Sequence, residues 1–438
     1  MLWLAQICLM AQIILAPILL GGLRPWALGI LAILTGIGIL AVCVRPGLMR
    51  TGRYLGYVWL TIGAIIGWSI IQSLPVWPVQ PYPFDLPRIA LAPYGWQNVA
   101  PYLIWLGGLV TLTTQVAHMQ PRLFIIIART IVITCTLQLV LATSAELMGW
   151  QTTFWFAKQA HSGDWTGSFA NRNAFGTLMG FGMVACLFLY DQNRALSIAK
   201  RLDHAGGWLA LAIVFTVAVI QSHSRLAFVM AVIGGGLFMI QNVPIPRHRL
   251  IRSIFILLAG VVISAVAVMA SPELLARFTD LGRADLIQRD DVWATALHGI
   301  AARPVTGWGA NAIALVMAHF STPDLNANAH WFSSHNLWLD GALVFGIPVM
   351  VITFCLGCIA LKALVSLPLA SDIRALVIAF LVMALAESIG DWVMIMPALI
   401  LPVAMMTVAT FATGFAARRA TPLHAGHVVQ PPAPDQAT

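Results

Sequence analysis

The chain has 438 residues, of which 60% are hydrophobic and only 9% are charged. Soluble domains carry roughly 25% charged residues, so this composition excludes a soluble globular protein. The formal net charge of +8 fits cytoplasmic loops beside anionic lipid and gives no reason to expect nucleic acid as a partner.

Apolar segments recur along the chain. A helix of about 20 residues crosses a hydrocarbon core of roughly 30 Å, so we expect an all-α polytopic membrane protein with about twelve transmembrane helices. The predicted windows are 2–20, 26–44, 54–74, 100–117, 123–142, 173–190, 206–221, 226–241, 251–270, 345–365, 373–387 and 391–415. Windows 206–221 and 226–241 are short for a full crossing, which predicts broken or tilted helices.

The basic residues predict an orientation. Cytoplasmic loops carry an excess of Lys and Arg, and placing both termini in the cytoplasm puts most of the 24 basic residues on that side. We therefore expect one inner-membrane domain over 1–417, with periplasmic segments at 75–99, 143–172 and 271–344. The last of these should contain a helix from about Ala284 to Ala302, and residues 418–438 should form a disordered cytoplasmic tail.

Three outward arginines stand out: Arg172 and Arg225 lie where predicted outward loops meet membrane helices, and Arg289 lies near the start of the predicted periplasmic helix. A charge at this depth is costly unless a partner stabilises it, and guanidinium forks match phosphate oxygens. The pattern favours a diphosphate site, although salt bridges or contacts with lipid head groups would explain each arginine equally well. Further polar residues near these positions that could support the site are Asn171, Asn173, Ser224, Asn336 and Arg303.

One histidine stands at the end of the large outward segment. His335 precedes a predicted membrane helix, where an imidazole can act as a general base near neutral pH. A buried histidine with only a structural role is the alternative. His335 could also be grouped with His319, Asp324 and His330 as metal ligands, but their spacing matches no common ligand pattern, so we expect neither a metal nor a cofactor.

Four motifs follow one another along the chain: Gly-Ser-Phe-x-Asn-x-Asn at 167–173, Ser224-Arg225, the block from Arg289 to Gly309, and His335-Asn336 ahead of Gly346. In this order they resemble those of the O-antigen ligase and O-antigen polymerase superfamily of membrane glycan transferases. Together they span roughly 167–350. In the ligases a small or hydroxyl residue follows the glycine, whereas here Pro348 and Val349 follow Gly346. This departure concerns the choice between a ligase and a polymerase within the superfamily.

The resemblance implies a GT-C-like fold and a metal-independent, inverting glycosyltransferase that acts on the periplasmic side. The donor would be a glycan on undecaprenyl diphosphate, and the acceptor a sugar hydroxyl of lipid A–core. Arg172, Arg225 and Arg289 would hold the diphosphate, and His335 would take the proton of the acceptor hydroxyl. One alternative is an O-antigen or exopolysaccharide polymerase, whose acceptor is another lipid-linked glycan. A second is a lipid-linked glycan flippase or secondary transporter, which the lack of an internal repeat disfavours.

Overall fold

The computed structural model describes residues 2–44, 53–78, 86–158, 161–242, 285–323 and 330–420, with a few single positions between 260 and 325. This part of the chain contains fourteen α-helices and no β-sheet. Ten of the helices are long and apolar enough to cross a membrane. The predicted all-α polytopic membrane fold is confirmed.

The helices are bounded as follows: α1 Leu2–Ile18, α2 Pro25–Cys43, α3 Arg53–Ser73, α4 Trp96–Met119, α5 Leu123–Leu147, α6 Arg172–Asp191, α7 Ile198–Gln221, α8 Arg225–Asn242, α9 Asp285–Ala302, α10 Ile313–His319, α11 Leu337–Phe345, α12 Ile347–Val365, α13 Ser371–Gly390 and α14 Pro397–Ala420. The ten candidate spans are α2 to α8 and α12 to α14, while α1 is apolar but one residue shorter than the shortest of them. Short 3-10 turns follow α1 and precede α14.

The predicted windows agree with these helices, with one correction. Window 206–221 lies within α7, which has 24 residues, and α8 is also continuous, so of the two alternatives, broken or tilted, the broken one is wrong. The helix is longer than its apolar window because the polar residues from Lys200 to His204 continue it. Window 251–270, apart from two single positions, and residues 421–438 lie outside the described residues, and α14 runs three residues past the predicted boundary at 417.

Helix α6 lies at the centre of the bundle, where it packs against α5, α7 and α8. Glycines make these contacts close. A side chain at Gly176 would meet Ser222 Oγ at 2.7 Å, and one at Gly180 would meet Met383 at 2.9 Å. Small residues let membrane helices approach in this way. The beginning of α6 is therefore held close to the turn between α7 and α8.

The three predicted periplasmic segments gather at one end of the bundle. The Trp155 indole donates to the Ile18 carbonyl at 2.5 Å, which ties segment 143–172 to α1. Helices α9 to α11 pack around the buried Trp308, whose backbone accepts a hydrogen bond from Leu91 at 3.1 Å. At the opposite end, Arg201 pairs with Asp191 at 2.8 Å. The loops that carry the predicted site residues thus share one end of the molecule.

Candidate functional site

Capping side chains fix the helix starts at the site. Asn171 accepts a hydrogen bond at 2.7 Å from the backbone N–H two residues later and begins α6. Ser224 accepts one at 3.3 Å from the backbone three residues later at the start of α8. Asn336 accepts two, at 3.0 and 3.2 Å, and begins α11. Such caps satisfy backbone donors that a helix leaves free. They place Arg172 and Arg225 as the first residues of α6 and α8.

The starts of α6 and α8 also lie close to the end of α13. A side chain at Gly390, the last residue of α13, would meet Leu226 at 2.5 Å. The backbone N–H of Trp165 donates to the carbonyl of Gln221 at 3.1 Å, which brings the loop before α6 to the end of α7. Helix N-termini carry partial positive charge, so two of them side by side favour an anion.

His335 forms a pair with a buried aspartate. Its Nδ1 lies 3.2 Å from Asp391 Oδ1, and the Asp391 side chain is 0% exposed. The backbone N–H of Trp392 donates to the same oxygen at 2.7 Å, and the Asn173 amide donates to the other. Burial raises the pKa of Asp391, but the hydrogen bonds from His335, Asn173 and Trp392 outweigh it, so the pKa lies below its usual value. The group is therefore a carboxylate at neutral pH.

This carboxylate orients the imidazole. An acceptor at Nδ1 favours the tautomer with its proton there, which leaves Nε2 able to accept a proton. The His335 side chain is 35% exposed, so a substrate can reach it. Its backbone has a φ of 54°, in the left-handed region that a non-glycine residue seldom adopts. The pair has the geometry of a general base with an orienting acid.

A second aspartate holds the loop that carries His335. Asp340 accepts hydrogen bonds from the hydroxyls of Ser333, at 2.5 Å, and Ser334, at 2.7 Å. Ser333 Oγ in turn accepts the backbone N–H of His335 at 3.0 Å. Burial raises the pKa of Asp340, and the serine hydrogen bonds offset only part of this rise. The left-handed conformation at His335 is thus fixed from the first turn of α11.

Arg172 belongs to a second cluster, centred on Asp164. Its Nη1 donates to Asp164 Oδ2 at 2.8 Å, and His223 Nδ1 lies 2.8 Å from Asp164 Oδ1. Lys158 donates to the Asp164 backbone carbonyl at 2.8 Å. Burial raises the pKa of Asp164, but hydrogen bonds from His161, His223 and Arg172 dominate and hold it well below its usual value. Arg172 and Asn173, which are consecutive, each bond one of the two aspartates.

The other predicted arginines have different surroundings. Arg289, in α9, is half-buried and interacts electrostatically with Glu387, a fully buried residue one turn before Asp391. Arg225 is also half-buried. Arg303 donates to the Ile89 carbonyl at 2.9 Å, and its guanidinium lies 4.0 Å from the centre of the Trp308 ring. These contacts of Arg303 support a structural role in the large segment.

Sequence reasoning did not identify the carboxylates or the second histidine. Asp391 stands at the edge of an apolar window, and Asp391, Asp164 and His223 are all absent from the site residues that the sequence predicts. The signal that could have identified them is the small number of acidic residues in the chain. The chain has only 16 acidic residues, so an aspartate close to an arginine motif or at the end of a membrane helix marks a place where a charge needs a partner.

Two comparisons with known proteins bear on the family of this chain. A search of curated proteins finds no match. Residues 209–354, about a third of the chain, match the Wzy_C family model, described as O-antigen ligase. The matched range contains Arg225, Arg289 and His335, whereas Arg172 and Asp391 lie outside it. Over residues 209–354 the chain is therefore similar to the Wzy_C family, and this match supports the resemblance to the O-antigen ligase and polymerase superfamily.

Proposed function

We propose that this chain is a glycosyltransferase of the O-antigen ligase type. It transfers a glycan from undecaprenyl diphosphate to a sugar hydroxyl of lipid A–core, on the periplasmic side of the inner membrane. The observation that carries the proposal is the His335–Asp391 pair, joined through Asn173 to the helix that Arg172 begins. The family match supports a membrane glycan transferase in general. The residues named here supply a general base and a binding site for the leaving group.

On the acceptor side, His335 Nε2 removes the proton of the acceptor hydroxyl. The oxygen attacks the anomeric carbon of the donor as the bond from that carbon to the diphosphate oxygen breaks. A single displacement of this kind inverts the configuration at the anomeric carbon. Asp391 stabilises the imidazolium that forms, as the acid of a catalytic triad does. The products are the acceptor with the glycan joined to it by a new glycosidic bond, and undecaprenyl diphosphate.

On the donor side, Arg172, Arg225 and Arg289 bind the diphosphate. Two of them begin α6 and α8, whose N-termini add partial positive charge at the same end of the bundle. Fixed positive groups stabilise the charge that grows on a leaving diphosphate, and arginine forks supply bidentate hydrogen bonds to it. The arginines thus supply charge that a divalent ion supplies in other phosphate chemistry.

The arrangement of the loops supports the periplasmic assignment. The end of the bundle that holds His335 and Arg172 is built from the segments that the distribution of basic residues places outside the cell membrane. The opposite end carries Arg194 and Arg201 around Asp191, as expected for a cytoplasmic face. Both termini would then be cytoplasmic.

A polymerase of the same superfamily is the second candidate, because Pro348 and Val349 follow Gly346 where the ligases differ. In the structure Gly346 has a φ of 87° and Pro348 stands in the first turn of α12. Proline is well suited to that position, so helix geometry accounts for it without reference to an acceptor. The ligase and the polymerase are therefore distinguished by the acceptor that each one uses.

The test is transfer by the purified protein in lipid nanodiscs. Undecaprenyl-diphosphate glycan is supplied with lipid A–core in one reaction and with a second lipid-linked repeat in another, and products are separated by gel electrophoresis. We expect transfer to lipid A–core and almost none by His335→Ala. Transfer only to the lipid-linked repeat would establish the polymerase, and full activity of His335→Ala would refute the mechanism.

A further inference from the structure

The buried turn between α7 and α8 contains a histidine that the proposed reaction does not yet use. We propose that His223 is a further diphosphate-binding residue and that Asp164 is the positioning residue that holds it together with Arg172. This inference rests on the proposed function, since it concerns the same lipid-linked donor.

The first argument is an unmatched nitrogen. The His223 residue is 8% exposed, and its Nδ1 contacts Asp164. Its Nε2 is buried and has no hydrogen-bond partner among the described residues, and the same holds for Nε of Arg172. Buried polar groups in proteins are nearly always paired. Two unmatched nitrogens on side chains that bond the same carboxylate therefore point to an acceptor that arrives with a ligand.

The second argument is the backbone. His223 has a φ of 51°, which costs free energy for a residue other than glycine. The turn is fixed by a hydrogen bond from the His223 N–H to the Ile220 carbonyl at 2.9 Å and by one from the Ser224 N–H to Ser222 Oγ at 3.3 Å. Strained conformations of this kind concentrate at functional sites, and His335 shares the same feature.

The third argument is charge. An imidazole that donates from Nδ1 to Asp164 and from Nε2 to a ligand must be protonated, and both the Asp164 carboxylate and an anionic ligand stabilise that state. Arg172, His161 and Lys158 are among the charged or titratable groups around Asp164, and the carboxylate of Glu146 lines the same pocket. A phosphate oxygen is an acceptor that suits a set of cationic donors arranged around one carboxylate. Asp164 thus serves to hold two donors rather than to neutralise one.

The test is binding of undecaprenyl diphosphate, without glycan, to the full-length protein in nanodiscs. In His223→Asn the shorter amide can still donate to Asp164 and tolerates a left-handed backbone, but it has no group at the position of Nε2. We expect the dissociation constant to rise about 10-fold or more, as for loss of a charge-assisted hydrogen bond. A histidine that only supports Asp164 would be replaced by asparagine with little effect.

His204→Asn is the control. His204 lies in α7 at the opposite end of the bundle, where its side chain is 62% exposed. We expect its affinity to stay within about twofold of wild type. Asp164→Asn, which leaves one acceptor oxygen for two donors and removes the charge, should weaken binding at least as much as His223→Asn and decides the matter if His223→Asn does not fold.

The outcomes separate the two proposals. If the wild-type protein binds undecaprenyl diphosphate and the His223→Asn and Asp164→Asn variants bind it equally well, the role of His223 is overturned and the proposed function stands. If the wild-type protein binds no undecaprenyl diphosphate, the donor assignment fails and the role of His223 fails with it.

Discussion

The Asp391→Asn substitution tests whether the negative charge of Asp391 contributes to the proposed mechanism. Asparagine has nearly the same shape as aspartate, and its oxygen can still accept the hydrogen bond from His335 Nδ1 and the one from the Trp392 N–H. Asn173 can turn its amide to accept from the new NH₂ group, so no buried donor need lose its partner. What the substitution removes is the negative charge beside the imidazole.

The magnitude follows from the geometry. Two unit charges about 4 Å apart interact by about 4 kcal/mol at an effective dielectric constant of 20. The His335 side chain is 35% exposed, so solvent screening lowers the interaction. With this screening the interaction between the two charges is about 2 kcal/mol, and losing it corresponds to a fall of roughly 30-fold in kcat. The KM for the lipid-linked donor should change little, because the arginines proposed to bind the diphosphate are untouched.

The assay is steady-state transfer in nanodiscs at saturating acceptor, with the donor concentration varied. Asp203→Asn, in the exposed first turns of α7 at the other end of the bundle, is the control and should match wild type, because its side chain is 83% exposed. If Asp391→Asn keeps its kcat while remaining folded, or changes only the KM, then the charge of Asp391 does not act on the base.

Four further results are expected. Arg172→Lys keeps a charge that can reach Asp164 but loses the planar fork, so donor affinity should fall roughly 10- to 100-fold while the outward control Arg24→Ala stays normal. EDTA should leave the transfer rate unchanged, and inhibition that a divalent ion reverses would contradict the role of the arginines. Gly346→Ala should lower the free energy of unfolding by about 1–3 kcal/mol, seen as a lower thermal unfolding temperature, because φ is 87° and the added carbon would collide with the Val305 carbonyl. The Asp164 pKa is lowered on folding, so its carboxylate adds stability above the unfolded value near 3.9 and loses it as pH falls further; thermal unfolding should show this loss only below about pH 4.

The fold was predictable because its signals are local. Hydrophobic windows located the membrane helices. Asn171, Ser224 and Asn336, which the sequence suggested only as supporting polar residues, are caps at helix starts in the structure. Window 206–221 was drawn too short, because hydropathy reports where a helix meets lipid and not where the helix ends.

The pairings in the site were not predictable because they join distant parts of the chain. His223 and Asp164 are 59 residues apart, and His335 and Asp391 are 56 apart. No periodicity links such positions, and only the packing of α6 against α8, and of α8 against α13, brings them together. The arginines and His335 could be proposed from their chemical type, whereas their acidic partners required the folded chain.

The start of α6 explains how one protein can keep a donor site and a base in register. Successive residues of an α-helix point about 100° apart, so Arg172 and Asn173 face different neighbours. Arg172 bonds Asp164, which holds His223, and Asn173 bonds Asp391, which holds His335. Both histidines have left-handed backbones held by the turns that carry them. A displacement requires the leaving diphosphate and the attacking hydroxyl on opposite sides of one carbon, so the groups that bind each must keep a fixed separation. Attaching both clusters to consecutive residues at the start of the most central helix fixes that separation by covalent geometry, and loops alone would not hold it.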